Sequence, residues 1–301
     1  MKIKCQSTLT RHITVIYNII VENMNEMTLQ EMHDFCLNIA KDVHLFCANN
    51  NIRYSLGYGS LIGAVRHKGF IPWDDDIDIL MPRPDYDRFC KLYKSDKYKL
   101  ATPENAYIAY ARVYDNEKTF CRTLGRWLKY EKEGAFVDIF PMDAVAEDKE
   151  TFIGHRNRAK QILKLQLDNR GARKNLLDLF RILPLKEALK SLKVTLYNRY
   201  FYEGETDMDV ISRRYQDLLS ENLWEESKYC AVLAYVNDRI TQQVPISFWD
   251  NLMLTDFEDG KLYIFKDYDT VLKEVYGDYM KLPPENQREQ HALAIAKFYF
   301  K

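Results

Sequence analysis

The chain is 301 residues long and 47% apolar, with 43 Lys/Arg against 44 Asp/Glu and a net charge of −1. That length and apolar fraction supply one large core or two and exclude a disordered chain, while near-neutral charge leaves no electrostatic footprint for nucleic acid, which is not expected as a partner. The six cysteines (Cys5, Cys36, Cys47, Cys90, Cys121, Cys230) form no C-x-x-C pair and no finger spacing, so they read as free thiols in a reducing compartment, with no zinc implied. Residues 1–26 read as an extension, with Met24 or Met27 as alternative starts. Its apolar run, Ile13 to Val21, is broken by Asn18, is too short to span a bilayer and lacks a cleavage site, which argues against secretion. Residues 27–145 follow as an α/β (α+β) core. In it Leu29, Met32, Phe35, Cys36, Ile39, Ala40, Val43 and Phe46 recur at helical spacing behind an N-cap at Thr28. A strand is expected at Arg53 to Leu56, a helix at Ser60 to His67, a strand at Asp76 to Met81 and a helix opened by Pro84. Strands near Tyr98 to Thr102, Tyr107 to Tyr114 and Ala135 to Phe140 complete a mixed sheet ending near Val145. Residues 146–301 read as a helical region and a C-terminal segment packed back on the core. Asp259-Gly260 signals a hairpin there, between Leu252 to Phe257 and Lys261 to Phe265.

The chemistry concentrates between Gly57 and Ile79. A glycine-rich turn (Gly57, Gly59, Gly63), three basic residues (Arg66, His67, Lys68) and four carboxylates (Asp74, Asp75, Asp76, Asp78) share 23 positions. Four carboxylates so close repel by roughly 4 kcal/mol per pair at ~4 Å, and a divalent cation removes that penalty. Asp76-Ile77-Asp78-Ile79 alternates acid with apolar, which on a strand aims both carboxylates one way, ~6.5 Å apart at the Cα atoms. Asp138, in the apolar run Gly134 to Pro141, is a lone acid that needs a partner. The N-terminus of the helix at Ser60, with its unpaired backbone N–H groups, would face a phosphate. Two duller readings fail. An EF-hand loop would need glycine where Ile79 stands and glutamate where Asp85 stands; the G-x-G-x-x-x-G spacing is one residue too long for a dinucleotide fingerprint.

These residues resemble the LicD phosphocholine transferases, related to fukutin and fukutin-related protein, which have a nucleotidyltransferase-type fold. The resemblance rests on Gly59-Ser60, on Ala64 to Asp78 (AVRHKGFIPWDDDID), on Val137 to Asp143 (VDIFPMD) and on Val275 to Glu285 (VYGDYMKLPPE), and it covers roughly Met27 to the C-terminus. It implies a catalytic core at 27–145 in which Asp76 and Asp78 hold Mg²⁺ or Mn²⁺, Asp138 is the third carboxylate and Gly59-Ser60 holds phosphate. Asp74 is the leading additional ligand, with Asp75 and Asp143 expected behind the ligands or facing solvent. Fifteen residues separate Ser60 from Asp76, more than the generic gap. The extra residues carry Arg66, His67, Lys68 and Trp73, which are read as substrate contacts: Arg66 and Lys68 for phosphate, His67 as a neutral hydrogen-bonding group, and Trp73 either as a face for a quaternary ammonium or as packing.

The implied reaction moves a phosphoalcohol, in this family most often phosphocholine, from a CDP-alcohol such as CDP-choline to a hydroxyl of a cell-surface glycan or lipid-linked saccharide. The acceptor would be a capsule, lipopolysaccharide or teichoic acid sugar, and CMP is released. Asp138 either takes the acceptor's proton or holds a second metal. Two alternatives stand beside it: a nucleotidyltransferase moving NMP from an NTP and releasing pyrophosphate, and a non-catalytic nucleotide-binding assembly protein. Residues 155–200, with twelve Lys/Arg against three Asp/Glu, read as a helical bundle with a solvated basic face or as a surface for anionic lipid head groups. The expected location is cytoplasmic, with peripheral contact at the inner face of the membrane as the alternative.

Overall fold

The computed structural model describes residues 25–106, 109–123, 134–172, 207–234, 242–288 and 296–301. Helix α1 (Leu29–Asn49) opens on a capping box in which Thr28 and Glu31 satisfy each other's backbone N–H groups, and it buries Met32, Cys36, Ile39, Ala40 and Val43. Strand β1 (Ser55–Leu56) leads into α2 (Tyr58–Arg66), then β2 (Asp78–Pro82), α3 (Arg83–Leu92), β3 (Lys99–Ala101), β4 (Ala111–Tyr114), β5 (Thr119–Thr123) and β6 (Phe136–Val145). Helices α4 (Lys149–Ala172) and α5 (Met208–Leu219), short strands β7 (Tyr229–Ala231) and β8 (Val244–Pro245), the hairpin β9 (Leu252–Phe257) and β10 (Gly260–Phe265), helix α6 (Tyr268–Tyr276) and β11 (Ala296–Phe300) follow.

The sheet runs β1-β2-β6-β4-β3, and the far end of β6 continues into β7 and β8. Only β2 and β6 among these pairs are parallel; β1/β2, β4/β6, β3/β4, β6/β7 and β7/β8 are antiparallel. The mixed α+β architecture expected from the sequence is therefore present. β6 is buried along its whole length, which explains its near-continuous apolar run. Among the described residues two hydrophobic clusters result. The larger gathers α1, β2, β6 and the hairpin; the smaller packs Phe152, Ala159 and Leu163 of α4 on Tyr215 and Leu218 of α5.

Several elements differ from expectation for identifiable reasons. β2 begins at Asp78 rather than Asp76, because its ladder with β6 starts at Asp78 opposite Asp138, while the two-residue β1 reaches only Ile79 and Leu80. The hairpin turn lies on Glu258 and Asp259, with Gly260 already paired to Phe257. Glu258 takes a left-handed backbone (φ 52°), held by its N–H donating to the Lys68 carbonyl (2.7 Å) and its carboxylate accepting from Phe70 N–H (2.9 Å). The β5/β11 ribbon was not anticipated: each strand is short, and its partner lies far along the chain. The expected strand at Tyr107 to Tyr114 forms from Ala111, and residues 107–108 lie outside the described residues. Of the basic stretch 155–200, residues 173–200 lie outside them, as do residues 1–24 with Cys5. Cys36, Cys47, Cys90, Cys121 and Cys230 form no disulfide among the described residues. Among the described residues no helix is long and apolar enough to cross a membrane.

Candidate active site

Sheet register builds the site. Parallel pairing sets Asp78 on β2 opposite Asp138 on β6, and antiparallel pairing sets Arg112 on β4 opposite the same Asp138. Residues directly opposed across a ladder share a face, so acid, acid and base form one row across three strands. Arg112 closes on Asp138 as a fork: Nε donates to Oδ1 (2.6 Å) and Nη2 to Oδ2 (2.8 Å), with both side chains more than 90% buried. The Arg112 guanidinium also stacks 3.6 Å from the Phe136 ring centroid. The partner that Asp138 needs is thus Arg112, which the sequence reading passed over. Its signal was available: a lone base in the apolar run Ala109 to Tyr114, mirroring the lone acid in the next long strand.

Ahead of β2, residues 74–77 bring three more carboxylates together. Asp74, Asp75 and Asp76 each offer an oxygen within 4.8 Å of the others. Asp74 and Asp75 are buried and Asp76 is partly exposed. The backbone here is pinned from two sides. His33 of α1 lies flat on Phe70 (3.9 Å between centroids) and its Nε2 meets the Asp74 carbonyl at 2.6 Å; a carbonyl only accepts, so Nε2 carries the proton. From the other side, Gly59 in the first turn of α2 lies so close to the Asp74 carboxylate that a Cβ would overlap its Oδ2. An anion against that helix N-terminus is favourable, and only glycine leaves it room. His33 was also missed, although it sits at helical spacing with Leu29, Cys36, Leu37 and Ala40, where a polar residue stands out.

Electrostatics follow from this crowding. The Asp76 carboxyl is pushed well above the usual carboxylate range, first by burial and then by Asp78, Asp74, Asp75 and Asp138. Asp78 shifts the same way through burial and Asp138, partly offset by Arg112. An all-oxygen cluster that cannot hold its charges unaided fits a hard divalent cation.

The remaining candidates are placed as follows. Ser60 is buried, and its Oγ accepts from the Asp78 N–H (2.9 Å), fixing the start of β2. Gly57 at the N-cap of α2 provides no side-chain cap, and Tyr58 next to it has a left-handed backbone (φ 48°). Arg66 donates through Nε to His67 Nε2 (2.8 Å) and through Nη1 to the Tyr279 carbonyl (2.6 Å), tying the end of α2 to the Val275 to Glu285 segment. Burial, with Arg66 beside it, lowers His67 below the usual imidazole value, which agrees with a neutral ring. Lys68 is exposed with φ 60°, its carbonyl held by Glu258. A Cβ at Gly69 would overlap the Glu258 carboxylate, so the hairpin turn can clasp this loop only at a glycine. Trp73 is half-buried; the Arg288 guanidinium lies 4.6 Å from its ring centroid, and the His67 ring meets it edge-on at 6.5 Å. Asp75 and Asp143 do not face solvent: both are fully buried. Asp143 lies apart from the cluster, accepting from Arg83 Nε (2.6 Å), and burial pushes it up to about 6 against the pull of that arginine.

Comparison with known proteins gives the family. Residues 51–167, which contain the carboxylate row and the Asp74 to Asp76 cluster, match the family model described as LicD/FKTN/FKRP, nucleotidyltransferase domain. The chain is 31% identical to the lipopolysaccharide cholinephosphotransferase LicD of Haemophilus influenzae over 284 residues, covering 91% of this chain and 99% of that protein. An uncharacterised Rickettsia typhi protein is 30% identical over 117 residues, 37% of this chain and 35% of its own length. One from Rickettsia prowazekii is 54% identical over 41 residues, 14% of this chain and 15% of its own. With similarity running nearly end to end, the chain belongs to the LicD family.

Proposed function

We propose that this LicD-type transferase moves phosphocholine from CDP-choline to a hydroxyl of a cell-surface saccharide, releasing CMP. The observation that carries the reading is the apposition of Asp78 and Asp138 on parallel strands beside the Asp74 to Asp76 cluster, in a chain similar over 91% of its length to a cholinephosphotransferase. Asp76, Asp78 and Asp74 are the residues that would hold Mg²⁺ or Mn²⁺. Such an ion would neutralise the donor's diphosphate and the leaving phosphate.

The chain's own groups do the rest. The first turn of α2, opened by Gly57 with Gly59 and Ser60 behind it, offers backbone N–H groups and a positive dipole end to a phosphate. Arg66, held at the Tyr279 carbonyl, and the exposed Lys68 lie at the other end of α2 and offer positive charge to phosphate there. In the transfer an acceptor oxygen bonds to the distal phosphorus while the bond from that phosphorus to the bridging oxygen breaks; CMP leaves with the bridging oxygen. The hydroxyl proton passes to a carboxylate, for which Asp138 is the candidate, at an oxygen that it shares with Arg112. Because such transition states are loose, positioning matters more than the strength of this base. Trp73 carries the Arg288 guanidinium on its face, and the same attraction would draw a quaternary ammonium in its place.

The test is product analysis with purified protein, a divalent cation and CDP-choline, CDP-ethanolamine, CDP-glycerol and CDP-ribitol. Cation-dependent CMP release from CDP-choline, absent with Asp76→Asn, is expected. Release from a different CDP-alcohol would change the head group. Pyrophosphate from an NTP, with every CDP-alcohol inert, would replace the reaction with nucleotide transfer.

A further inference from the structure

Asp138 stands where a second metal ion would find its ligand, yet both of its oxygens are already engaged by a positive charge. Arg112 reaches them through two parallel hydrogen bonds and is itself fixed by the Phe136 ring and by register on β4. An arginine held like this is preorganised: it is planar, always charged and already desolvated, so no ordering remains to be done when substrate arrives. Among the carboxylates outside this pair, Asp74, Asp75 and Asp76 lie close enough together for a single ion, and Asp78 follows on the strand that they lead into.

The geometry points to Arg112 as a built-in second cation: the site takes one divalent ion, at the Asp74 to Asp78 end, and the Arg112–Asp138 pair stands in the place of another. Arg112 is therefore a positioning residue, holding Asp138 and a fixed positive charge across the row from the bound ion. This inference rests on the metal-dependent reading above. It separates Asp138 from the ligand set, whereas the family resemblance counts it as the third carboxylate.

The experiment counts ions. Mn²⁺ binding to the full chain is followed by calorimetry and by the electron paramagnetic resonance of free Mn²⁺, neither of which depends on activity. Wild type is expected to bind one Mn²⁺. Asp76→Asn should weaken that site by more than about tenfold, whereas Asp138→Asn should change it by less than about threefold. Arg112→Gln should admit a second ion, and Arg112→Lys should keep the count at one. Two ions in wild type, or a tenfold loss with Asp138→Asn, would overturn the role given to Arg112 and leave the metal-dependent reading standing. No binding in wild type would remove both. If Arg112→Gln fails to fold, the wild-type count and the Asp138→Asn affinity still decide.

Discussion

Two arginines that grip a carboxylate with two bonds behave as opposites in this molecule. Arg158 of α4 holds Glu221 at 2.9 and 2.6 Å on the surface, with side chains 55% and 41% exposed. Arg112 holds Asp138 with side chains 5% and 8% exposed. The first lies in the stretch whose basic composition dominates the sequence; the second is a lone base among apolar residues. Water and salt screen the surface pair, so its strength hardly matters, whereas the buried pair has no substitute for either partner. Density of charge in the sequence therefore marks a surface pair, whereas isolation of charge in an apolar strand marks the buried one.

The widest separation should come from the carboxylates. Asp76→Asn or Asp78→Asn is expected to lower CMP release by about a thousandfold or more, while removing a repulsive charge leaves the fold intact, as thermal melting would show. Arg112→Ala should cost about 3–5 kcal/mol, because it strands a buried carboxylate, against less than about 1 kcal/mol for Arg158→Ala; denaturant unfolding compares them directly. The acidic end should also show in the pH dependence of stability. Asp76 and Asp78 titrate higher in the folded than in the unfolded chain. Their contribution is therefore present below the ordinary carboxylate range and is lost as pH climbs from there through their raised values. In chelator the protein should melt lower at pH 8 than at pH 5, and Mg²⁺ should restore most of the loss. The finest contrast is at Gly59. Gly59→Ala favours the helix itself but drives a methyl group into Asp74, so cation affinity should fall about tenfold with melting nearly unchanged.

Much of the fold was legible. The α1 periodicity, the Pro84 helix start and the β6 run each follow from local pattern, and the mixed sheet follows from their order. The acidic run was legible as a site because four carboxylates in five positions are costly without a purpose. Pairing was not. Nothing local says that Arg112 meets Asp138 or that His33 props the Asp74 backbone; those contacts depend on which strands and helices become neighbours, across 26 and 41 positions. The early start assigned to β2 failed for the same reason, since its ladder begins where β6 meets it, at Asp78 opposite Asp138. The hairpin turn was placed one residue late because Glu258, an unfavourable residue for a left-handed backbone, is held there by the loop at Lys68 and Phe70.

The most direct test of the account is phosphorus-31 NMR of the wild-type protein with CDP-choline, a divalent cation and an acceptor oligosaccharide. The account predicts that the diphosphate signals decay into CMP and a new phosphodiester on the saccharide, in equal amounts, and that Asp76→Asn stops both. A diphosphate that persists in the presence of cation and acceptor, while an NTP is converted to pyrophosphate at the same carboxylates, would contradict it.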